Sequence, residues 1–124
     1  MSKITAQLND YRQSPRKVRV VATAIKGKRV AEAKTQLGVI IKRASNPLAK
    51  LLDSAVANAK NMGVSVENLV IDSIEVNGGK ILYRRMPVAH GAAHPIRKRT
   101  SHVKIVLRET EPKVKKAKAT KKTK

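Results

Sequence analysis

The sequence predicts a single small α+β domain from which a cationic β-ribbon projects. Apolar residues recur at helical spacing in three segments and alternate in several others, so helices and strands are expected to share one core. The stretch from Val76 to Arg108 contains no acidic residue and eight basic ones. Its centre, Met86 to Ile96, has no formally charged side chain. Such a ribbon cannot build a core of its own, so we expect a polyanionic surrounding to hold it.

A short strand and a helix are predicted first. Lys3 to Asp10 alternates, with its apolar residues on one face, which is typical of a strand. Ser14-Pro15 predicts a helix start, with a hydroxyl at the N-cap and proline at the first helical position. The apolar residues that follow lie on one helical face. Gly27 suits the C-terminal end of this helix.

Two further helices are predicted. The shorter one runs from Val30 to Leu37 and ends at Gly38. Asn46-Pro47 repeats the signal of a cap followed by proline, although a start one turn earlier is also compatible with the sequence. The apolar residues that follow keep a 3.6-residue period, and Gly63 is expected to end this third helix.

The second half of the domain is predicted to be strands joined by a connection that the sequence leaves open. Leu69 to Val76 and Val103 to Leu107 predict strands. Asn77 to Lys80 is either a tight turn, which folds the chain straight back, or a wide bulge, which lets the strand continue outward. We expect one domain at residues 1–110, in which the projecting ribbon is an extended β-hairpin at about residues 80–103. Residues 111–124 are low in complexity and rich in lysine, and we expect them to form a disordered tail.

The charge balance indicates the class of partner. The chain carries a formal charge of +20, and the seven lysines after Glu111 account for only part of it. Nucleic acid is the leading partner, because neutralising phosphates releases counterions and favours clustered Lys and Arg. An anionic membrane is a weaker candidate, since no apolar run approaches the roughly 20 residues that a membrane-spanning helix needs. The N-terminal segment also lacks the apolar core of a signal peptide.

Two scarcities restrict the mode of binding and the chemistry. The chain has two tyrosines and no other aromatic residue. It therefore lacks the stacking platforms on which single-stranded RNA modules hold bases, and we expect contacts to phosphate, sugar and shape. The chain has no cysteine, which excludes disulfides and thiol chemistry and is compatible with a cytoplasmic location.

Basic and hydroxyl side chains of the projecting ribbon and of the first helix are the candidate binding residues. Arg97 to His102 is the densest such cluster outside the tail, and Arg84-Arg85 is expected to face it across the ribbon. Like charges directly opposite destabilise a free ribbon, so phosphates between them would explain the pattern better than a solvated strand end. The first helix start favours an anion through its free N–H groups, although surface solubility explains its cations as well. The predicted contacts are Arg12, Arg16, Lys17, Arg19, Lys80, Arg84, Arg85, Arg97, Lys98, Arg99, Thr100, Ser101 and His102.

Neither a metal site nor a catalytic site is expected. His90 and His94 are spaced as in zinc proteases, but Gly91 and Pro95 disfavour the helix that such a pair requires. The eight carboxylates form no convincing acid–base pair. Adjacent Ser101 and His102 on a strand point to opposite faces, so they cannot act together as nucleophile and base. We therefore expect no cofactor and no enzymatic activity.

Three segments in order resemble a known family. SPRKVRVVATAIKGKRVAEA, then LLDSAVANAKNMG, then YRRMPVAHGAAHPIRKRTSHVKIVL are similar to the bacterial type of large-subunit ribosomal protein twenty-two. The resemblance covers roughly Ile4 to Arg108, and the KRTSH segment and the Met86-Pro87 plus Gly91 pattern are its most specific parts.

The resemblance implies three helices on a small antiparallel sheet and a long β-hairpin. It implies binding to large-subunit (23S-type) rRNA, support of subunit assembly, and a cytoplasmic ribosome as the location. The hairpin tip would line the peptide exit tunnel near its narrowest part, beside ribosomal protein four and the nascent peptide, and family tip changes are linked to macrolide resistance. No membrane partner and no homo-oligomer are implied. The tip positions are Met86, Pro87, Val88, Ala89, His90, Gly91, Ala92, Ala93 and His94.

The tip departs from the family pattern. Relatives usually read Met-Pro-Arg-Ala-x-Gly-Arg-Ala, whereas this chain has Val88 and Ala92 at the two arginine positions and His90 between them. The tip keeps its shape-determining residues and loses formal charge. A tunnel wall built from it would be less cationic than in typical relatives.

An architectural DNA-binding protein with proline-tipped β-arms is the alternative function. Such proteins bend the duplex from its minor groove. The ones we know place a helix after the arm and dimerise, whereas this chain is predicted to continue with a strand and a lysine-rich tail. A metalloenzyme is a distant third hypothesis.

Overall fold

The body of the protein is a three-stranded antiparallel sheet packed against helices, and a two-stranded ribbon extends from it. The computed structural model describes residues 2–111, so residues 112–124 of the predicted tail lie outside the described residues. The α+β class predicted from sequence is confirmed. In chain order the elements are β1 Lys3–Tyr11, α1 Pro15–Ile25, α2 Val30–Val39, α3 Ser45–Asn61, β2 Leu69–Gly78, β3 Leu82–Pro87, β4 Ala93–Lys98 and β5 Ser101–Glu109.

The last strand lies in the middle of the sheet. The strand order is β1-β5-β2, and both neighbours run antiparallel to β5. Helices α1 and α3 pack on the sheet, and α2 packs against α3. Fully buried aliphatic side chains from the sheet and all three helices form one core, with Ile4, Leu52 and Ile105 among the largest. Among residues 2–111 the fully buried core is aliphatic, with half-buried Tyr11 packed against it, so its stability comes from dense packing of aliphatic groups.

Helix α1 begins where the sequence predicts, although the predicted capping interaction is different. Pro15 occupies the first turn, as expected. The Ser14 side chain makes no capping hydrogen bond. Its carbonyl oxygen instead accepts from the N–H groups of Lys17 and Val18, at 3.1 and 3.2 Å. After the helix, Gly27 has φ +77° and donates its N–H to the Ile71 carbonyl, which joins the connection to the edge of β2.

Helices α2 and α3 differ from the predictions at their ends. Helix α2 continues to Val39, so the predicted stop at Gly38 is wrong. Helix α3 starts at Ser45, one residue before the predicted Asn46-Pro47 signal. Its C-terminal end is as predicted: Gly63 has φ +77°. Its N–H and that of Val64 donate to the carbonyls of Lys60 and Ala59, both at 3.0 Å, which closes a Schellman motif.

A bulge in β2 switches which residues face the core. The pairing with β5 shifts between Ile71 and Ser73, so Asp72 is the extra residue. Before the bulge, Leu69 and Ile71 are buried, and after it Val76 takes the inward position. One extra residue moves side chains to the opposite face of a strand. This explains why the apolar spacing in β2 is not a plain alternation.

The connection after β2 takes the outward course. Strand β2 ends at Gly78, and the Gly79 N–H donates to the Thr100 carbonyl at 2.9 Å, so the chain does not turn back. Strands β3 and β4 then pair with each other only, from Leu82 opposite Lys98 to Pro87 opposite Ala93. We call this two-stranded ribbon, residues 82–98 with its tip, the arm. The wide-bulge interpretation was therefore correct and the tight hairpin was not.

Candidate nucleic-acid interface

An open crevice between the body and the arm gathers half of the exposed cations that the sequence singled out. Its volume is about 910 Å³. We call it the basic crevice. It is lined by Arg12, Gln13, Ser14, Lys17, Arg43, Arg97, Lys98 and Arg99. Six of these eight side chains are cationic and none is acidic, so the crevice is built for an anion.

Three separate parts of the chain form the walls of the basic crevice. Arg12 lies in the connection from β1, and Lys17 is in the first turn of α1. Arg43 lies in the short connection between α2 and α3. Arg97 and Lys98 come from the end of the arm, and Arg99 follows it directly. The first turn of α1 contains no acidic residue, so the positive end of the helix dipole adds to the positive potential on the body side.

Arg43 is the cation of the basic crevice that the sequence did not single out. Lys42-Arg43 is an ordinary basic pair between two helices, and surface lysines and arginines are usually only solvated. Its position beside the arm depends on how α2 and α3 pack, which the local sequence does not reveal. The weak signal that was available is the pair's place directly before the start of α3.

Basic residues of the arm are staggered rather than facing. Arg84 lies opposite Ile96 and Arg85 opposite Pro95, while Arg97 lies opposite Tyr83. The expected juxtaposition of like charges is therefore wrong. Because successive residues alternate between faces, Arg84 and Lys98 share one face of the arm, and Arg85 and Arg97 share the other. The arm presents cations on both faces, so it can contact phosphates on two sides.

The root of the arm is a polar junction. The Thr100 hydroxyl donates to the Lys80 carbonyl at 2.5 Å. The ring of His102 accepts the N–H of Asp10 through Nδ1 at 3.1 Å. Thr100 is 4% exposed and Ser101 is 0% exposed. The Thr100 side chain thus ties the two sides of the arm root together, whereas the buried Ser101 hydroxyl has no hydrogen-bond partner among the described residues. As placed, neither side chain reaches a ligand, which departs from their predicted role. The burial of Ser101 follows from its strand position, since it shares the inward face of β5 with Val103 and Ile105.

Three of the other predicted contacts lie outside the basic crevice. Arg16 is exposed on α1, and Lys80 is exposed at the arm root. Arg19 donates from Nε and Nη2 to the Val76 carbonyl, at 3.2 and 3.0 Å. This pair of hydrogen bonds ties α1 to β2 just before the arm begins. Arg19 therefore positions the two elements, and only its remaining donors are free for a ligand.

The tip is a narrow loop of small and uncharged residues. The Val88 N–H donates to the Ala92 carbonyl at 2.9 Å, which closes the loop around a tight turn at Ala89–Gly91. His90 and Gly91 both have positive φ, at 62° and 71°. Every tip residue from Met86 to His94 is exposed except half-buried Val88. The tip therefore offers a slim polar and apolar surface rather than a charged one.

Neither a metal cluster nor a membrane-spanning helix is found in the described part of the chain. No three His, Cys, Asp or Glu side chains gather there as metal ligands. Among residues 2–111, no helix is long and apolar enough to cross a bilayer. His90 and His94 both lie on the exposed tip, the first in its loop and the second in β4.

Comparison with known proteins identifies the family. The family model described as Ribosomal protein L22p/L17e matches residues 6–108, which span the body and the arm. The chain belongs to this family. Its relatives include the large ribosomal subunit protein uL22 of Mesoplasma florum, 50% identical over 103 residues, which cover 82% of this chain and 92% of the relative. The uL22 protein of Caldicellulosiruptor saccharolyticus is 47% identical over 112 residues, which cover 90% of this chain and 92% of the relative.

A third relative is similar over a comparable length of the chain. The uL22 protein of Trichlorobacter lovleyi is 43% identical over 108 residues, which cover 86% of this chain and 96% of the relative. The resemblance noted from the three sequence segments is thereby confirmed. As a member of the L22 family, the chain is a ribosomal protein of the large subunit, a structural constituent in a family of non-enzymatic proteins.

Proposed function

We propose that this L22-family protein binds large-subunit rRNA through the basic crevice and the arm, and that the arm tip lines the peptide exit tunnel. The observation that carries the proposal is the union of six cations, from the body and from the arm, in one crevice without a carboxylate. A surface of this kind attracts a polyanion. Contacts on both faces of the arm would let it lie between RNA strands and support subunit assembly.

The proposed contact set is narrower than the one the sequence suggested. Thr100 and Ser101 are left out because their side chains are buried, and Arg43 is added because it lines the basic crevice. The proposed rRNA contacts are Arg12, Arg16, Lys17, Arg43, Lys80, Arg84, Arg85, Arg97, Lys98, Arg99 and His102. Arg19 contributes mainly by positioning α1 against β2.

The proposed neighbours of the tip are ribosomal protein four and the nascent peptide. The support is the tip's shape and chemistry. It is slim, closed by the Val88–Ala92 hydrogen bond, and free of formal charge. A wall of this type passes peptides of varied sequence because it offers few fixed charges to hold them.

Co-sedimentation tests the choice of nucleic acid. Tagged protein in a cell lysate is expected to migrate with large ribosomal subunits on a gradient, to leave that fraction after RNase treatment, and to remain in it after DNase treatment. An architectural DNA-binding protein would give the opposite nuclease response. The strand β5 that follows the arm fits the ribosomal proposal, because the arm proteins of the DNA-binding class known to us continue with a helix.

Restoring charge at the tip tests its proposed place in the tunnel. The double substitution Val88→Arg and Ala92→Arg is expected to change nascent-chain stalling or macrolide response, because it places two cations at the loop closure. Subunit assembly, followed by gradient profiles, is expected to stay unchanged, since the basic crevice is untouched. Val88→Gln with Ala92→Gln is the matched control for length without charge. Unchanged stalling and macrolide response in the arginine variant would contradict the tunnel placement.

A further inference from the structure

The arm is joined to the body almost entirely through its two strands. Strands β3 and β4 pack against each other, and no helix or strand of the described body packs along either of them. The described body therefore offers the arm no extensive packing surface that would set its direction. What sets the direction is the short root between the two ladders.

The root of the arm is irregular. The ladder of the body ends at Gly78 opposite Ser101, and the ladder of the arm starts at Leu82 opposite Lys98. Three residues on one strand, 79–81, therefore face two on the other, 99–100. An unequal junction is a bulge, which interrupts pairing and bends the ribbon. Only the Gly79 and Thr100 hydrogen bonds cross it among the described residues.

Like charges face each other across the basic crevice. Arg12, Lys17 and Arg43 belong to the body wall, whereas Arg97 and Lys98 belong to the arm and Arg99 to its root. No acidic side chain lines either wall. In the absence of an anion, repulsion between the walls opposes closure of the arm onto the body. An anion between the walls would favour closure instead, because it attracts the cations of both walls.

We infer that the basic crevice is a clamp for a backbone phosphate of structured RNA, and that occupation of the clamp fixes the direction of the arm relative to the body. The inference rests on the proposed rRNA binding and adds a regulated geometry to it. Arginine suits the role, because its planar guanidinium forms paired hydrogen bonds to phosphate oxygens. Arg43 is the body-wall residue that extends the clamp beyond the α1 start. The arm would take a fixed direction only after the body has bound RNA.

Distance measurement between the arm and the body tests this order of events. The chain has no cysteine, so Ala89→Cys at the tip and Lys60→Cys on α3 give two unique positions for spin labels, both exposed. Pulsed electron paramagnetic resonance then gives the distribution of distances. We expect a broad distribution for the free full-length protein and a narrow one with a transcript of large-subunit rRNA. A narrow distribution in the free protein would overturn the inference.

Arg43→Ala separates the clamp from general RNA affinity. The variant is expected to bind the transcript with a salt slope lower by about 0.9, because one phosphate is no longer neutralised, and to keep a broad distribution when bound. Lys50→Ala on α3 is the matched control, because Lys50 is an exposed lysine outside the basic crevice. Its distance distribution is expected to narrow when the transcript binds, as that of the unmutated protein does. If the distance distributions of both variants narrow equally when the transcript binds, Arg43 is not part of the clamp.

Two further outcomes separate this inference from the proposed function. Salt-dependent binding of the transcript with no change in the distance distribution would overturn the clamp and leave the proposed function standing. Failure of the transcript to bind would overturn both. Inorganic polyphosphate is the probe for the source of the phosphate. Narrowing by polyphosphate at the same or a lower phosphate concentration than the transcript requires would overturn the assignment to RNA.

Discussion

Replacing Arg84, Arg85 and Arg99 together by alanine is expected to weaken binding to large-subunit rRNA and to flatten its dependence on salt. Arg84 and Arg85 lie on opposite faces of the arm, and Arg99 lines the basic crevice, so the three side chains sample separate parts of the proposed interface. Each phosphate contact contributes about 0.9 to the slope of log affinity against log salt on duplex nucleic acid. The slope of the triple variant should therefore fall by about 2–3. The affinity deficit of the variant should shrink by about 40-fold between 50 and 200 mM salt.

A control with the same reduction in net charge makes this result specific. Lys26, Lys50 and Lys60 are exposed and lie outside the basic crevice and the arm, so alanine at all three is expected to leave the slope nearly unchanged. Binding is measured by filter retention of an rRNA transcript over a salt series, with far-ultraviolet circular dichroism to show that each variant folds. Equal slopes of log affinity against log salt for the triple arginine variant and the unmutated protein would contradict the proposed interface.

The second large effect is expected at Gly79, in the arm root. A Cβ added there would lie 2.6 Å from the Thr100 hydroxyl and 3.0 Å from Nε2 of His102. Thr100 is buried and donates to the Lys80 carbonyl, so it cannot move without breaking that bond. Gly79→Ala is therefore expected to destabilise the fold by about 1–3 kcal/mol, the usual range for overpacking. The melting temperature should fall by roughly 5–20 °C for a domain of this size.

Gly38→Ala is the matched control for this prediction. Gly38 lies inside α2 and has open space around it, with no positive φ. Alanine there is expected to stabilise the helix by up to about 1 kcal/mol, because it has the higher helix propensity. If the local packing is as described, calorimetry shows a lower melting temperature for Gly79→Ala and a higher one for Gly38→Ala than for the unmutated protein. A Gly79→Ala protein that melts with or above the unmutated protein would show that the root tolerates a side chain.

Elements with a strong apolar period could be predicted from the sequence alone. The buried residues of α3 and β5 repeat with the helical and strand periods, and each element lies within a few residues of its prediction. Element ends were less predictable where glycine gave the signal. Gly63 ends α3 with a positive φ, whereas Gly38 stays inside α2 because nothing in the fold forces the chain to turn there. A glycine permits a stop, and the tertiary contacts decide whether one occurs.

The basic crevice could be predicted only in part. Arg97 to Arg99 form a dense cluster in the sequence, and Lys17 marks a helix start, so both were found. Arg43 was missed because its nearness to the arm arises from long-range packing. The course of the chain after Gly78 was also open, because a turn and an outward bulge use the same residues. The Gly79–Thr100 hydrogen bond decides between them, and its partners lie far apart in the sequence.

The central place of β5 in the sheet has a consequence for the time at which this protein can fold during its own synthesis. Strands β1 and β2 have no ladder with each other, and each pairs with β5. When the first strand leaves the ribosome that makes it, its partner has not yet been translated. Sheet formation must wait until the final described strand emerges, since pairings of high sequence separation close last. Until then the nascent chain exposes its basic segments and its unpaired strands together in a cell full of RNA, so RNA can bind the basic segments before the sheet has formed.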